Sequence, residues 1–431
     1  MIGTLESLRL VKITSNNEAN TKIYRLSKDD YGYWLFVARA ERMGKTVEKR
    51  SSIIPEKITI EMSGEFGVTE FNTLIGETEK VDYEIKNGKT YIYKDWYIND
   101  SLLLRLENSI IERKNTDSPK NVYKTIIVND AKYSLSEENC AVLDICSVAI
   151  SSGEYNEPKT IFEQNAMLYK KLGIYPTEAQ PYVMKNPKTA DISLRFEFIC
   201  NQELRGLRLA TERAKECKYI FNGKALNGEV EGFFVDKDIE KITLPNAICG
   251  KNILEIIMPF DEVRQIEPCY LLGNFLTEIK EGIIELSSPD TDKIKFHPLC
   301  EQGLHFYGGN ISYKVEFDCE DGIAEISVEN FGAHCIRVFL DKKKEQLISL
   351  SPFMVKFPLK KGRHEIEFLC YGNRNNTFGP IHNKRISDPD NYIGPWSWSI
   401  NDAAFTRNYC LQKTGILSKP VIRLYKEMEE F

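Results

Sequence analysis

At 431 residues the chain is long enough for roughly two to four domains, each with its own core. Its net charge of −6 and dispersed basic residues exclude a nucleic-acid footprint, and no apolar run approaches membrane length. Neither nucleic acid nor a membrane is therefore expected as a partner. The eleven cysteines stand singly, with no CxxC pair and no Cys/His spacing suited to zinc. That usage points to free thiols in a reducing compartment. The opening MIGTLESLRLVK lacks the apolar core of a secretion signal, so a cytoplasmic location is expected.

Residues 1–115 read as strands almost throughout. Lys22–Leu26, Tyr33–Ala38, Lys57–Met62, Glu70–Leu74 and Thr90–Tyr93 are short β-rich runs, and Asn87-Gly88 between two of them is a hairpin signal. Such spacing, about ten residues per strand, indicates a β-sandwich. The polar run Glu112–Lys120 is a linker. Strands resume at Cys140–Cys146 and Val148–Ile150. One helix is predicted over Pro158–Leu172, with Pro near its first turn and Gly173 as its stop. Glu203–Cys217 has helical propensity, but the alternation of Leu207, Leu209 and then Cys217, Tyr219 and Phe221 into Asn222-Gly223-Lys224 predicts two strands instead.

A β-unit then occurs twice. Tyr219–Lys224 leads through Gly232–Val235 to Gly250-Lys-Asn252-Ile-Leu254-Glu-Ile256. Val338–Lys343 leads through Ser351–Met354 to Gly362-Arg-His364-Glu-Ile366-Glu-Phe368. Two copies imply two sandwiches of similar topology. The expected domains are 1–115, 116–290 (with one short helix) and 291–431.

The repeat resembles the galactose-binding-like jelly-roll domains of glycoside hydrolases, whose strand–turn–strand core is marked NGK…G…D…GxNxLEI. The matching residues are Asn222, Gly223, Lys224, Gly232, Asp236, Gly250, Asn252, Leu254, Glu255 and Ile256. The second copy keeps Gly362, with Asp341-Lys342 for Asn-Gly and His364 for Asn. Tyr270–Phe275, Gly303–Asn310, Tyr371–Asn383 and Tyr409–Leu417 look like the C-terminal region of large bacterial glycoside hydrolases, of the family 2 sugar-binding type and the rhamnosidase-like family 106. The resemblance covers residues 135–420 and, more loosely, 1–115, as the β-domain that follows a catalytic barrel. It implies an all-β protein of tandem β-sandwiches, two of them galactose-binding-like jelly rolls. Catalysis in such enzymes uses two carboxylates at strand ends of a (β/α)₈ barrel. No run of alternating strands and helices supplies one here. The implied function is a non-catalytic, carbohydrate-associated part of a multidomain glycoside hydrolase, with carbohydrate and a catalytic glycosidase domain or chain as partners. A scaffold for a separate catalytic chain and a self-sufficient glycosidase are the alternatives.

Candidate ligand residues concentrate after the second copy's last strand. Asn373, Arg374, Asn375, Phe378 and His382 offer planar donors and acceptors and a ring to stack on a sugar. The same asparagines also hold a long loop together through their own backbone, and both readings stay open at this point. Trp396 and Trp398 would share one side if their segment were extended, making either a sugar platform or a packed cap. Phe306-Tyr307-Gly308-Gly309-Asn310 reads as a close backbone approach. No cofactor is required, although Asp388 and Asp390, and separately Asp290 and Asp292, offer oxygen ligands for a calcium ion, which jelly rolls of the resembled type often hold.

Overall fold

The computed structural model describes residues 9–16, 22–39, 54–73, 76–79, 81–97, 100–108, 121–151, 153–175, 187–388 and 393–426. The expected linker at Glu112–Lys120 lies outside them. The architecture is all-β, built from several antiparallel sheets that close over three separate apolar cores.

In the amino-terminal sandwich, one sheet runs Val11–Ser15, Glu56–Ser63, Lys89–Trp96, Asp82–Lys86. The other runs Lys22–Asp29, Gly32–Arg39, Ser101–Glu107, Gly67–Asn72, Glu77–Glu79. Alternation decides which side chains meet: Ile58, Ile60 and Met62 turn inward against Leu35, Val37 and Leu104. Asn87 and Gly88 both take positive φ between the paired residues Lys86 and Lys89, as a two-residue hairpin requires.

Four of the remaining sheets form twin sandwiches. The first sandwich has one sheet ordered Asn139–Leu143, Cys269–Gly273, Arg208–Glu212, Asp236–Thr243, Val230–Phe234. Its facing sheet contains Ile145–Ile150, Thr189–Cys200, Gly250–Asp261, Lys218–Phe221, Lys224–Leu226. The second repeats both orders, with Val122–Ile127, Val421–Lys426, Gly322–Ser327, Met354–Leu359 over Asp130–Leu135, Ile311–Cys319, Gly362–Cys370, Ile336–Leu340, Lys344–Ile348. The expected pair of strands in 203–221 is present as Arg208–Glu212 and Lys218–Phe221, separated by a short 3₁₀ turn.

The twins are nested in sequence, not consecutive. Val122–Ile127 pairs with Val421–Lys426, and Asp130–Leu135 pairs with Ile311–Cys319, so the first sandwich is inserted between the second and third strands of its twin. Strand pairing therefore crosses the boundary expected between 290 and 291. We refer to these as the inserted and outer sandwiches.

The shared turn motif has a physical basis in both copies. Asn222 and Asp341 each take positive φ, and each side chain accepts a hydrogen bond from the opposite strand, from Ile253 N at 2.8 Å and Glu365 N at 3.0 Å. Asn222 Nδ2 also donates to Asn252 Oδ1 at 2.9 Å, while Asp341 Oδ2 receives His364 Nδ1 at 2.7 Å. Asn252 and His364 each reach a carbonyl of the preceding turn, Ile248 O and Lys360 O. An Asn–Asn pair and an Asp–His pair thus close the same turn. The double variant Asp341→Asn/His364→Asn is expected to hold stability within about 1 kcal/mol, whereas His364→Ala, which strips Asp341 and the Lys360 carbonyl of a donor, should cost about 1–3 kcal/mol in urea unfolding. Equal losses in both variants would sink this equivalence.

The helix is Ile161–Leu172. Thr160 caps it and forms a capping box with Glu163, so Pro158 precedes the cap instead of opening the first turn. Gly173 ends it in the left-handed conformation, as expected. Ile161 and Leu168 anchor it to the inserted core.

Candidate functional site

After Cys370 the outer sandwich sends out an excursion that returns only at Gly415–Ile416. It packs against the inserted sandwich: Ile381 and Ile386 belong to that core, and Phe378, Tyr409 and Leu411 lie against it. The candidate ligand residues of the sequence lie in this excursion, and most face inward.

Arg374 makes a two-pronged ion pair with Glu137, Nη2 to Oε2 at 2.8 Å, with the guanidinium 6.0 Å from the Phe234 ring centre. Asn373 Oδ1 accepts from Asn375 N at 3.1 Å, and Asn375 Nδ2 donates to Gln412 Oε1 at 2.7 Å. The wholly buried Asn376 exchanges two hydrogen bonds with the backbone of Gln412, at 2.9 and 2.8 Å. Thr377 donates to the Phe306 carbonyl at 2.8 Å. Phe378 sits edge-on to Tyr270 at 5.4 Å and beside Phe234 at 5.9 Å. The Phe378 ring therefore packs the excursion onto the inserted core. Asn375–Phe378 is itself one short helical turn.

His382 is 1% exposed and Asp144, which it meets, is equally buried. His382 Nε2 lies 3.0 Å from Asp144 Oδ2, and Nδ1 lies 3.3 Å from the Asn408 carbonyl. Tyr409 donates its hydroxyl to Asp144 Oδ1 at 2.7 Å, with its ring 4.9 Å from the imidazole. Burial works against a charged His382, but the Asp144 carboxylate and the Asn408 and Thr406 backbone outweigh it, so its pKa stands above the ordinary histidine value. Burial, together with Asp144, drives the Tyr409 phenol far up.

The two tryptophans do not form the platform that an extended segment would present. Pro395–Trp398 is a 3₁₀ turn, in which residues two apart diverge by about 120°. Trp396 is 54% exposed with its ring folded over Gly394, and Trp398 is half-buried. Asp388 N donates to Arg385 O, while Asp390 lies outside the described residues. Among the described residues no group of three or more His, Cys, Asp or Glu is arranged to hold a metal ion.

The structure adds a cleft that sequence reasoning missed. It has a volume of about 600 Å³ and lies at the seam of the insertion, lined by 133–139 on entry, 273–276, and Pro289, Thr291 and Asp292 on exit. Tyr133, Ser134, Ser136, Asn139, Asn274 and Thr291 give it hydroxyls and amides. Burial, then Asp290 and Asp292, push the Tyr133 phenol above its usual value. Glu138 pairs with Arg208, and Glu137 with Arg374 of the excursion. Asn139 Nδ2 donates to Phe275 O at 2.8 Å, which ties the wall to the 273–276 turn. Ser136 N donates to the Tyr307 hydroxyl at 3.0 Å, which in turn donates to Asn310 O at 2.7 Å. No local signal marks this cleft, because its walls come from segments far apart in sequence.

No family model and no curated protein matches the chain. Among solved structures it is similar to a rhamnosidase from Novosphingobium sp. PP1Y, at 9% identity and a TM-score of 0.43, over 98% of this chain and 26% of that one. An α-xylosidase of glycoside hydrolase family 31 from Xanthomonas citri follows at 10% identity and a TM-score of 0.14, over 94% and 32% of the two chains. An α-L-rhamnosidase from Dictyoglumus thermophilum has 10% identity and a TM-score of 0.13, over 83% and 47%. The chain thus spans about a quarter of the length of the Novosphingobium enzyme. At TM-scores this low, none of these likenesses assigns an activity to it.

Proposed function

We propose that this chain is a non-catalytic, carbohydrate-associated part of a larger glycoside hydrolase, with residues 1–115 and the nested twins as separate domains and the seam cleft as its glycan site. The observation that carries this reading is the lining of the cleft. A phenol, hydroxyls, amides and carboxylates converge on a concavity of small-molecule size, the chemistry that sugar hydroxyls meet. The non-catalytic half is supported by the adjacent glutamates. Both oxygens of Glu137 are engaged by Arg374 and Glu138 pairs with Arg208, so these two carboxylates act as ion-pair partners in the wall. Titration with rhamnose, galactose and plant oligosaccharides tests it. Binding that weakens about tenfold in Tyr133→Ala is the expected result. No binding across a broad glycan panel would overturn the reading.

A second reading, as a scaffold for a separate catalytic chain, is favoured by one observation. On adjoining strands of the amino-terminal sandwich, Ile23 and Phe36 are 54% and 41% exposed, with Tyr24 and Tyr31 also exposed. Co-purification with a barrel protein that is lost in Phe36→Asp would favour this scaffold role.

A further inference from the structure

The excursion is held to the inserted sandwich at a point where the geometry demands a proton. Both ring nitrogens of His382 face acceptors: the Asp144 carboxylate at Nε2 and the Asn408 carbonyl at Nδ1. A neutral imidazole carries one N–H, so either tautomer would set a lone pair against an acceptor. Only the doubly protonated ring satisfies both contacts, and its charge meets the buried carboxylate.

The surrounding groups leave this role to His382. Tyr409 stays a hydroxyl donor to Asp144, its phenol held far above the usual range by burial. The helix contributes Phe162, edge-on at 6.2 Å, and next to it Glu163, tied to Arg407 of the excursion at 2.7 Å. Glu163 is held below the usual carboxylate range, because Arg407 and Thr160 outweigh its burial. Behind Asp144, burial pushes the Cys146 thiol well up and Cys269 to about 12. Among these groups, His382 is the one suited to change charge near neutrality.

The fastening extends to the cleft. Gly372, two residues beyond the strand Gly362–Cys370, donates its N–H to Asn310 Oδ1 at 3.2 Å, and Asn310 N donates to Ser136 Oγ at 2.9 Å. Arg374 then grips Glu137 in the cleft wall. We propose that the proton on His382 fastens the excursion to the inserted sandwich, and that its loss to solvent base releases the excursion and the cleft wall that Arg374 holds. The fastening stands on the joint alone, whereas the gating of the cleft rests on the glycan reading above.

The sign follows from the raised His382 pKa: the fastening is complete below the unfolded value of about 6.5 and is lost as pH rises through the folded one. Hydrogen exchange of the full chain at about pH 6 and about pH 9, corrected for base catalysis, measures it. Amides of 372–383 and 405–412 are expected to open about tenfold more often at the higher pH, with Ile311–Cys319 unchanged. His382→Gln and, should that variant fold poorly, Asp144→Asn should abolish the difference. A wild type without it, or variants that keep it, overturns the fastening. The same glycan panel is titrated at both pH values. Affinity that falls with release supports the gate, and affinity that ignores release overturns it. Absence of binding at both values overturns the glycan reading, while the exchange result still decides the fastening.

Discussion

Asp144→Ala is expected to destabilise the twin sandwiches by about 3–5 kcal/mol near neutral pH, among the largest effects of any single substitution here. The reason is what remains after the carboxylate is gone. His382, 1% exposed, and the half-buried Tyr409 would each lose the acceptor that Asp144 supplies. His382 would then shed its proton, since the carboxylate that offsets its burial is missing. Asp144→Asn should cost less, because the amide oxygen still accepts from Tyr409. Urea unfolding at fixed pH gives both numbers. A loss below about 1 kcal/mol in the alanine variant would mean that the joint collapses cheaply and that the pair is not a fastening.

Much of the fold was legible because it is local. In Glu56–Ser63 and Gly250–Asp261 the buried residues alternate, and a period of two is visible without knowing the partner. The Asn222 and Asp341 turns were legible for the same reason, since a positive-φ residue that caps the facing strand leaves its mark within a few positions. The nesting was not legible. Nothing in Val122–Ile127 says that its partner is Val421–Lys426, because strand pairing depends on a face and a register that many runs share.

The candidate site divides along the same line. Asn373–Asn383 stood out by composition. Guanidinium and imidazole groups serve a sugar and a distant carboxylate equally well, and here Arg374 meets Glu137 and His382 meets Asp144. The Trp396–Trp398 reading assumed an extended backbone, whereas Pro395 starts a helical turn. Nothing in the sequence pointed to Asp144 and Tyr409 as partners of His382, since each acquires that role only when the excursion folds back.

The glycines of this joint lead to the other large effect. Gly372→Ala is expected to cost roughly 3 kcal/mol, or about 6–12 °C in Tm for units of this size. A Cβ at Gly372 would lie 2.1 Å from the Gly309 carbonyl oxygen and 2.5 Å from that of Gly308. Both are backbone atoms, so no side chain can swing aside. Parting the two segments would break the Gly372 N–H bond to Asn310, and would shift Gly309, against which Glu137 packs. The damage should therefore reach the cleft: Gly372→Ala is expected to weaken any glycan binding that Tyr133→Ala weakens. Gly153→Ala is the control, since its new Cβ would meet only the Ile150 carbonyl at 3.1 Å and should change stability by under about 1 kcal/mol. Thermal melts of the two variants decide the matter. If Gly372→Ala melts with Gly153→Ala, the backbone contact at the joint is looser than its distances imply, and Arg374 alone would have to hold the wall.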